Sequence, residues 1–179
     1  LQETRHKRLI NANNPWFHMV GHPADSQGHD GVQMWFSKNT PLYVNGPLIT
    51  LKHISIVASQ TNLLIVKLNM PSLRALFITG RAPHAGRPEA ESIEYWRIVS
   101  TKIRPYSKDH HVFFLGDTNG HLGDSPTIAV GSHGGVRGNV PGREFLNWLL
   151  EPKLYAPSTF QDTHGGEEHA SHCSPAGDH

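Results

Sequence analysis

The chain has 179 residues, of which 37% are hydrophobic and 17% are charged, and its formal net charge is +1. This composition is ordinary for a globular protein that buries a core, and it argues against a disordered chain. The near-neutral charge excludes a strong overall attraction to nucleic acid, so any such contact has to come from local basic clusters.

The first residues predict the end of a strand rather than a leader. Leu1 is apolar and is followed at once by a charged segment without an initiator Met, so we expect that an upstream piece is missing. This start is too polar for a secretory signal, and no apolar run approaches the roughly 20 residues that span a bilayer. We therefore expect a soluble chain with no membrane partner. The single cysteine, Cys173, favours a reducing compartment.

Several strands follow. Apolar and polar residues alternate from Gly31 to Ser37, which predicts a strand with one deeply buried face. The apolar runs from His53 to Ser59 and from Leu63 to Leu68 are separated by polar turn residues, which predicts a hairpin. Arg74 to Thr79 is predicted as the next strand.

The segment from Pro88 to Arg104 predicts a helix, because its apolar residues change to helical spacing. Pro88 suits the first helical position, acidic residues follow it, and basic residues precede Pro105, which ends the helix. The residues expected on its buried stripe are Ile93, Trp96, Val99 and Ile103.

Two further elements complete the predicted fold. The apolar run from His111 to Leu115 is typical of a strand buried on both faces. Pro141 to Glu151 predicts a second helix capped by Asn139, since apolar residues again recur at helical spacing. Its expected buried residues are Phe145, Trp148 and Leu149. This order of elements predicts one α/β domain over residues 1–179, with mixed or largely antiparallel sheets and no repeat or linker.

The strongest local sign of chemistry follows the last predicted strand. There Gly116 precedes Asp117 and Asn119, which are two residues apart and share a face in extended backbone. An acid beside an amide can orient a water and hold a phosphoryl oxygen, as hydrolysis of a phosphodiester requires. The alternative is an ordinary Asp-Thr-Asn-Gly turn.

Two other segments offer candidate residues. Glu3 follows an apolar residue that could end a strand, and its carboxylate is a hard oxygen ligand suited to Mg²⁺. Arg81 and His84 lie in the loop before the first helix and could bind a phosphate or a developing negative charge. Each of these side chains could equally be solvated surface.

Taken in order, the segments resemble the endonuclease/exonuclease/phosphatase superfamily. Two later segments are similar to the helix and strand of the endonuclease domains in non-LTR retrotransposons and their reverse-transcriptase polyproteins. The segments are Leu1-Gln2-Glu3-Thr4-Arg5, Gly31-Val32-Gln33-Met34, Ala82-Pro83-His84, Leu115-Gly116-Asp117-Thr118-Asn119, then Asn139 to Leu146 and Pro157-Ser158-Thr159-Phe160.

The resemblance implies a four-layered, deoxyribonuclease-like α/β sandwich, with the first strand and the last strands absent from this chain. It implies that Glu3 holds Mg²⁺ or Mn²⁺, that Asp117 activates the attacking water, and that Asn119 positions Asp117 and contacts the phosphate. It further implies a DNA substrate, a reverse-transcriptase domain in a longer polyprotein, and an intracellular location, which is nuclear if the chain is a retrotransposon endonuclease. Arg5, Lys7 and Arg8, which adjoin the expected metal site in the sequence, favour DNA over a lipid or inositol phosphate substrate.

Two departures from the family pattern concern the site. Members commonly carry His where this chain has Arg81, and an arginine cannot donate a proton at neutral pH. Asp178 and His179 match the closing Asp-His pair of the family in residue type. Their surroundings instead resemble a loop that precedes a later strand, which would place the true pair downstream.

Two alternatives to an active enzyme stay open. One is an inactive fragment of the same fold, because Arg81 and the missing strands count against activity. The other is a metal-binding module, since the chain has 14 histidines, although their spacing fits no regular zinc pattern. The histidines and cysteine that would form it are His164, His169, His172, Cys173 and His179.

Overall fold

The computed structural model describes residues 1–7, 14–123, 125–132 and 137–160. The chain divides into two compact units, one of residues 1–83 and 97–118 and the other of residues 84–96 and 119–179. Asp178, His179 and the histidine-rich tail lie outside the described residues. Among the helices that are described, none is long and apolar enough to cross a membrane. The single domain stays a prediction.

The first unit contains two sheets. Strands β1 (Phe17–His22) and β2 (Val32–Ser37) form an antiparallel pair. The second sheet has the order β3-β4-β5-β6, in which β3 to β5 are consecutive antiparallel neighbours and β6 is parallel to β5. Its strands are β3 (Ile54–Gln60), β4 (Leu63–Met70), β5 (Leu73–Gly80) and β6 (His111–Phe114). The predicted hairpin, the strand after it and the α/β class are confirmed.

Helix α1 (Glu89–Ile103) lies in the connection between β5 and β6. Parallel neighbours require such a crossover, because a short turn can join only antiparallel strands. One-turn 3₁₀ helices lie before β3, at Leu51–His53, and near the end of the described residues, at Pro157–Thr159.

The core of the first unit lies between the two sheets. Alternate residues of β4, among them Leu64, Val66 and Leu68, are fully buried against Val32 and Phe36 of β2. Burial of such an aliphatic side chain contributes about 1.5–3 kcal/mol. The intervening Leu63 and Ile65 are buried too, so the first half of β4 is covered on both faces, whereas Lys67 is half-buried and Asn69 is exposed.

The structure corrects two predictions of burial. In β6, Phe113 is 43% exposed, because β6 is the outermost strand of its sheet within the described residues. Phe113 instead stacks on Phe77 with ring centroids 5.2 Å apart. In α1, Ile93 is 47% exposed while the preceding Ser92 is buried. The predicted helical spacing is therefore right, but the first residue of the buried stripe is Ser92 and not Ile93.

Strand β1 was not predicted. Its sequence, Phe17-His18-Met19-Val20-Gly21-His22, places histidines and a glycine among the apolar residues, which hides the alternation. Hydrogen bonding to β2 stabilises the extended backbone of β1, in a register that places Phe17 opposite Ser37 and His22 opposite Val32. The strand therefore depends on its neighbour more than on its own propensity.

The second unit is organised around helix α2 (Val140–Leu150) and the first part of α1. Trp96 of α1 packs on Phe145 and Trp148 of α2, with ring centroids 5.1 and 4.9 Å away. Arg143 forms ion pairs with Glu144 and Glu89. The bond to Glu144 and the charge of Glu89 raise the pKa of Arg143.

The predicted cap of the second helix is confirmed. Asn139 has extended backbone, and its side-chain oxygen accepts hydrogen bonds from the backbone N–H groups of Gly142 and His121, each at 2.9 Å. One side chain therefore satisfies a helix-end donor and fixes the chain that follows Asn119.

Replacing the cap by Asn139→Ala is expected to lower the free energy of unfolding by about 1–2 kcal/mol, because two N–H groups lose their acceptor. The measurement is urea unfolding followed by far-UV circular dichroism. Asn147→Ala is the matched control, since Asn147 is exposed within the same helix and alanine has the higher helix propensity. Equal destabilisation by both variants would contradict the role of the cap.

A second prediction concerns Gly116, which follows β6. A Cβ at this position would lie 2.5 Å from the carbonyl oxygen of Gly80. Gly116→Ala is therefore expected to cost about 1–3 kcal/mol and to push the end of β6 away from β5. Gly138→Ala is the control, because its Cβ would meet no atom closer than 3.4 Å. If Gly116→Ala unfolds at the same temperature as the wild type, the backbones at Gly116 and Gly80 do not lie as close together as the structure shows.

Candidate functional site

The pairing of β5 with β6 continues beyond both strands and brings Arg81 beside Asp117. The N–H of Asp117 donates to the carbonyl of Gly80, and the N–H of Ala82 donates to the carbonyl of Asp117, each at 2.9 Å. Arg81 is thus the parallel partner of Asp117. Residues opposite each other in a sheet project from the same face, so both side chains leave the sheet on one side.

Hydrogen bonds of Gln2 hold the first residues of the chain against the C-terminal ends of β5 and β6. Its side-chain amide donates to the carbonyl of Leu115 at 2.9 Å and to the hydroxyl of Thr79 at 3.1 Å. The Thr79 hydroxyl in turn donates to the same Leu115 carbonyl at 3.0 Å. Because Gln2 is held in this way, the neighbouring Glu3 lies where the two strands end.

Glu3 forms an ion pair with Arg81. A carboxylate oxygen of Glu3 is 2.7 Å from Nη1 of Arg81, and an oxygen of Asp30 is 3.7 Å from the same nitrogen. The three side chains are between 33% and 45% exposed, so solvent screens their attraction. An ion pair this exposed contributes about 0–1 kcal/mol to stability, and its importance is in where it places the charges.

The backbone around this ion pair is strained. Glu3 has φ +51°, Arg5 +54° and Asp30 +59°, all in the left-handed region that non-glycine residues avoid. Two backbone hydrogen bonds hold this arrangement, from Thr4 N–H to Gly31 O and from Arg5 N–H to Asp30 O. Such strain costs about 1 kcal/mol or more at each residue, and clusters of it are typical of functional sites.

Gly31 is required at this place. Its φ is +90°, and a Cβ there would lie 2.7 Å from the hydroxyl oxygen of Thr4. Only glycine lets the segment that carries Glu3 approach the start of β2 so closely. Gly31, the first residue of the predicted strand and the residue before β2, therefore also positions the site.

The other two predicted residues belong to the second unit. His84 is exposed, and its Nδ1 accepts a hydrogen bond from the N–H of Gly86 at 3.1 Å within a local turn. Asn119 has φ +49°, so the expectation that it continues an extended backbone from Asp117 is wrong. Asparagine tolerates this conformation better than most residues do, which explains its place in a sharp turn.

Sequence reasoning missed two residues of the site. Gln2 is the anchor of Glu3, and Asp30 is the second carboxylate near Arg81. The dipeptide Asp30-Gly31 is a turn signal at the head of β2 and could have drawn attention to Asp30. No pattern in the sequence could have paired Gln2 with Leu115, which is 113 residues away.

The expected divalent metal does not fit Glu3 as the side chains are arranged. Mg²⁺ binds carboxylate oxygens at about 2.0–2.1 Å and needs room for six ligands. The carboxylate of Glu3 instead meets a guanidinium nitrogen at 2.7 Å. Within the described residues, no three His, Cys, Asp or Glu side chains come together as metal ligands.

The arrangement still suits phosphate chemistry. Arg81 presents a permanent positive charge and planar N–H donors, which match the oxygens of a phosphate. Asp117, leaving the sheet on the same face, is the type of group that can accept a proton from an attacking water. A cation and a base are thus brought to one sheet end by backbone pairing.

Comparison with known proteins supports the fold. No protein-family model matches the chain, and no curated protein matches its sequence. Among solved structures, the AP endonuclease LMAP from Leishmania major is similar with a TM-score of 0.50 and 15% identity, over 85% of this chain and 56% of that protein.

A second similar structure is the endonuclease domain of TRAS1, a telomere-specific non-LTR retrotransposon, with a TM-score of 0.44 and 12% identity. The match covers 76% of this chain and 52% of that domain. The chain thus spans about half the length of the solved proteins that it matches. Its two sheets, the crossover helix and the similarity to LMAP show that the chain has a deoxyribonuclease-like fold.

Proposed function

We propose that the chain is a phosphodiester hydrolase that cleaves DNA, as the endonuclease domain of a longer, retrotransposon-like protein. The observation that carries the proposal is the pairing of Asp117 with Arg81 at the shared end of β5 and β6. It gives the deoxyribonuclease-like fold a base and a phosphate-binding cation on one face of the sheet.

In this proposal a water molecule attacks the phosphorus and forms a new P–O bond, while the bond to the leaving sugar oxygen breaks and that oxygen takes a proton from solvent water. Asp117 accepts the proton of the attacking water. The guanidinium of Arg81 binds a non-bridging phosphate oxygen, whose negative charge it balances as the bonds change. The contributions of Asn119 and His84 stay predictions from the family resemblance.

No step of the proposed reaction passes through a metal ion. The expected Mg²⁺ or Mn²⁺ at Glu3 would have to share a carboxylate with Arg81. The residues proposed for catalysis are therefore only those that the first unit itself brings together.

DNA is the proposed substrate because cations flank the site. Arg5 and Lys7 are exposed and lie close in the chain to Glu3, so they can contact phosphates on either side of a scissile bond. Their contribution predicts binding that weakens as salt concentration rises. A reverse-transcriptase domain in the same polyprotein and a nuclear location are parts of the proposal that follow from the retrotransposon resemblance alone.

The test is nicking of supercoiled plasmid by the wild-type chain and by Asp117→Asn, in buffers with Mg²⁺, Mn²⁺ or EDTA. Loss of a general base is expected to reduce the nicking rate about 100-fold or more, since the amide cannot accept the proton. Asp109→Asn is the matched control, because Asp109 is an exposed aspartate before the opposite end of β6. It should nick at the wild-type rate.

A second candidate function is that of a catalytically inactive domain that binds DNA. The observation that favours it is Arg81, a permanent cation where the family commonly has a histidine that can donate a proton. Binding of a labelled duplex by wild type and Asp117→Asn, with no nicking above the variant's background in any buffer, would establish this candidate and reject the hydrolase.

A further inference from the structure

The most unusual group in the first unit is Arg81, which lies between two carboxylates and is fixed by backbone bonds on both sides. Its own N–H donates to the carbonyl of Asn62 at 3.0 Å, and the next N–H donates to Asp117 at 2.9 Å. Its guanidinium is held by Glu3 and lies near Asp30. The position of this positive charge is therefore set by the sheet.

We propose that Arg81 takes the place of a divalent metal at Glu3, as a cation built into the chain. The inference concerns the same site as the proposed function, but it rests on side-chain geometry and requires no catalytic activity. Its consequence is that the wild-type chain has no divalent-cation site that depends on Glu3.

Distances support this substitution. A metal on the Glu3 oxygen that the guanidinium contacts would lie about 2.0–2.1 Å from that oxygen. That oxygen is 2.7 Å from Nη1 of Arg81, so the ion and the guanidinium would compete for the same space. A metal on either oxygen would also lie beside the positive charge of Arg81, and the two would repel each other, although solvent weakens this repulsion at such exposure.

The tether of Arg81 gives it an advantage over a free ion. The guanidinium is attached to a backbone that three hydrogen bonds hold, from Arg81, Ala82 and Asp117. Its local concentration at Glu3 is therefore high and independent of the metal concentration in solution. Asp30 adds a second negative charge 3.7 Å from the same nitrogen, which favours any cation and holds the one that is already present.

The experiment is a Mn²⁺ titration followed by electron paramagnetic resonance, in which free Mn²⁺ is measured directly. Four proteins are compared: wild type, Glu3→Gln, Arg81→Gln and the double variant Arg81→Gln with Glu3→Gln. Mn²⁺ bound at other sites, including the histidines, is the same in two proteins that differ only at Glu3. Wild type is therefore compared with Glu3→Gln, and Arg81→Gln with the double variant. Arg74→Gln is the matched control, because Arg74 is an exposed arginine near the other end of β5.

Wild type and Glu3→Gln should bind Mn²⁺ equally. Arg81→Gln should bind about tenfold more tightly or better, since a repelling charge is removed, and the double variant should lose that gain. Arg74→Gln should match wild type.

Two results would overturn the inference. One is Mn²⁺ binding by wild type that Glu3→Gln abolishes, which needs no Arg81 variant and so does not depend on how that variant folds. The other is a folded Arg81→Gln protein, by circular dichroism, that binds Mn²⁺ no better than wild type does. Plasmid nicking is a separate readout, so a hydrolase that fails in that assay leaves the Mn²⁺ comparison intact.

Discussion

The parallel pairing of β5 with β6 is the constraint on which the rest of the site depends. It continues past the strands, so that Arg81 and Asp117 become neighbours although 35 residues and a helix separate them in the chain. Gly116 allows the backbones to approach, since any Cβ there would meet Gly80. Gln2 then uses the carbonyl at the end of β6 as its anchor and brings Glu3 to the same place. Backbone geometry thus gathers charges from three distant segments.

A guanidinium at this sheet end has consequences that a histidine would not have. Histidine can give or take a proton near neutral pH, whereas arginine keeps its charge at every pH in that range. In the proposed reaction Arg81 therefore contributes binding and charge, and proton transfer falls to other groups such as Asp117. Because Glu3 is engaged by the same arginine, Arg81 affects both the proton donor and the metal ligand that the sequence resemblance leads us to expect.

Sequence patterns predicted the elements with strong periodicity and failed where tertiary contacts decide. The hairpin, β5, both helices and the Asn139 cap follow from local signals. Strand β1 and the exposure of Phe113 do not, because they depend on which neighbours are present. The candidate residues Glu3, Arg81 and Asp117 were found in the sequence, but the ion pair was not. A distance between side chains 78 residues apart has no local signature, whereas a capping residue does.

The central claim is that Arg81 and not a divalent ion is the cation beside Glu3. The most direct measurement is a crystal structure of the wild-type chain soaked in Mn²⁺, with diffraction data collected at the manganese absorption edge. The account predicts no anomalous peak within coordination distance of the Glu3 carboxylate and a guanidinium at ion-pair distance. An anomalous peak bound to Glu3, with the side chain of Arg81 turned away, would contradict it.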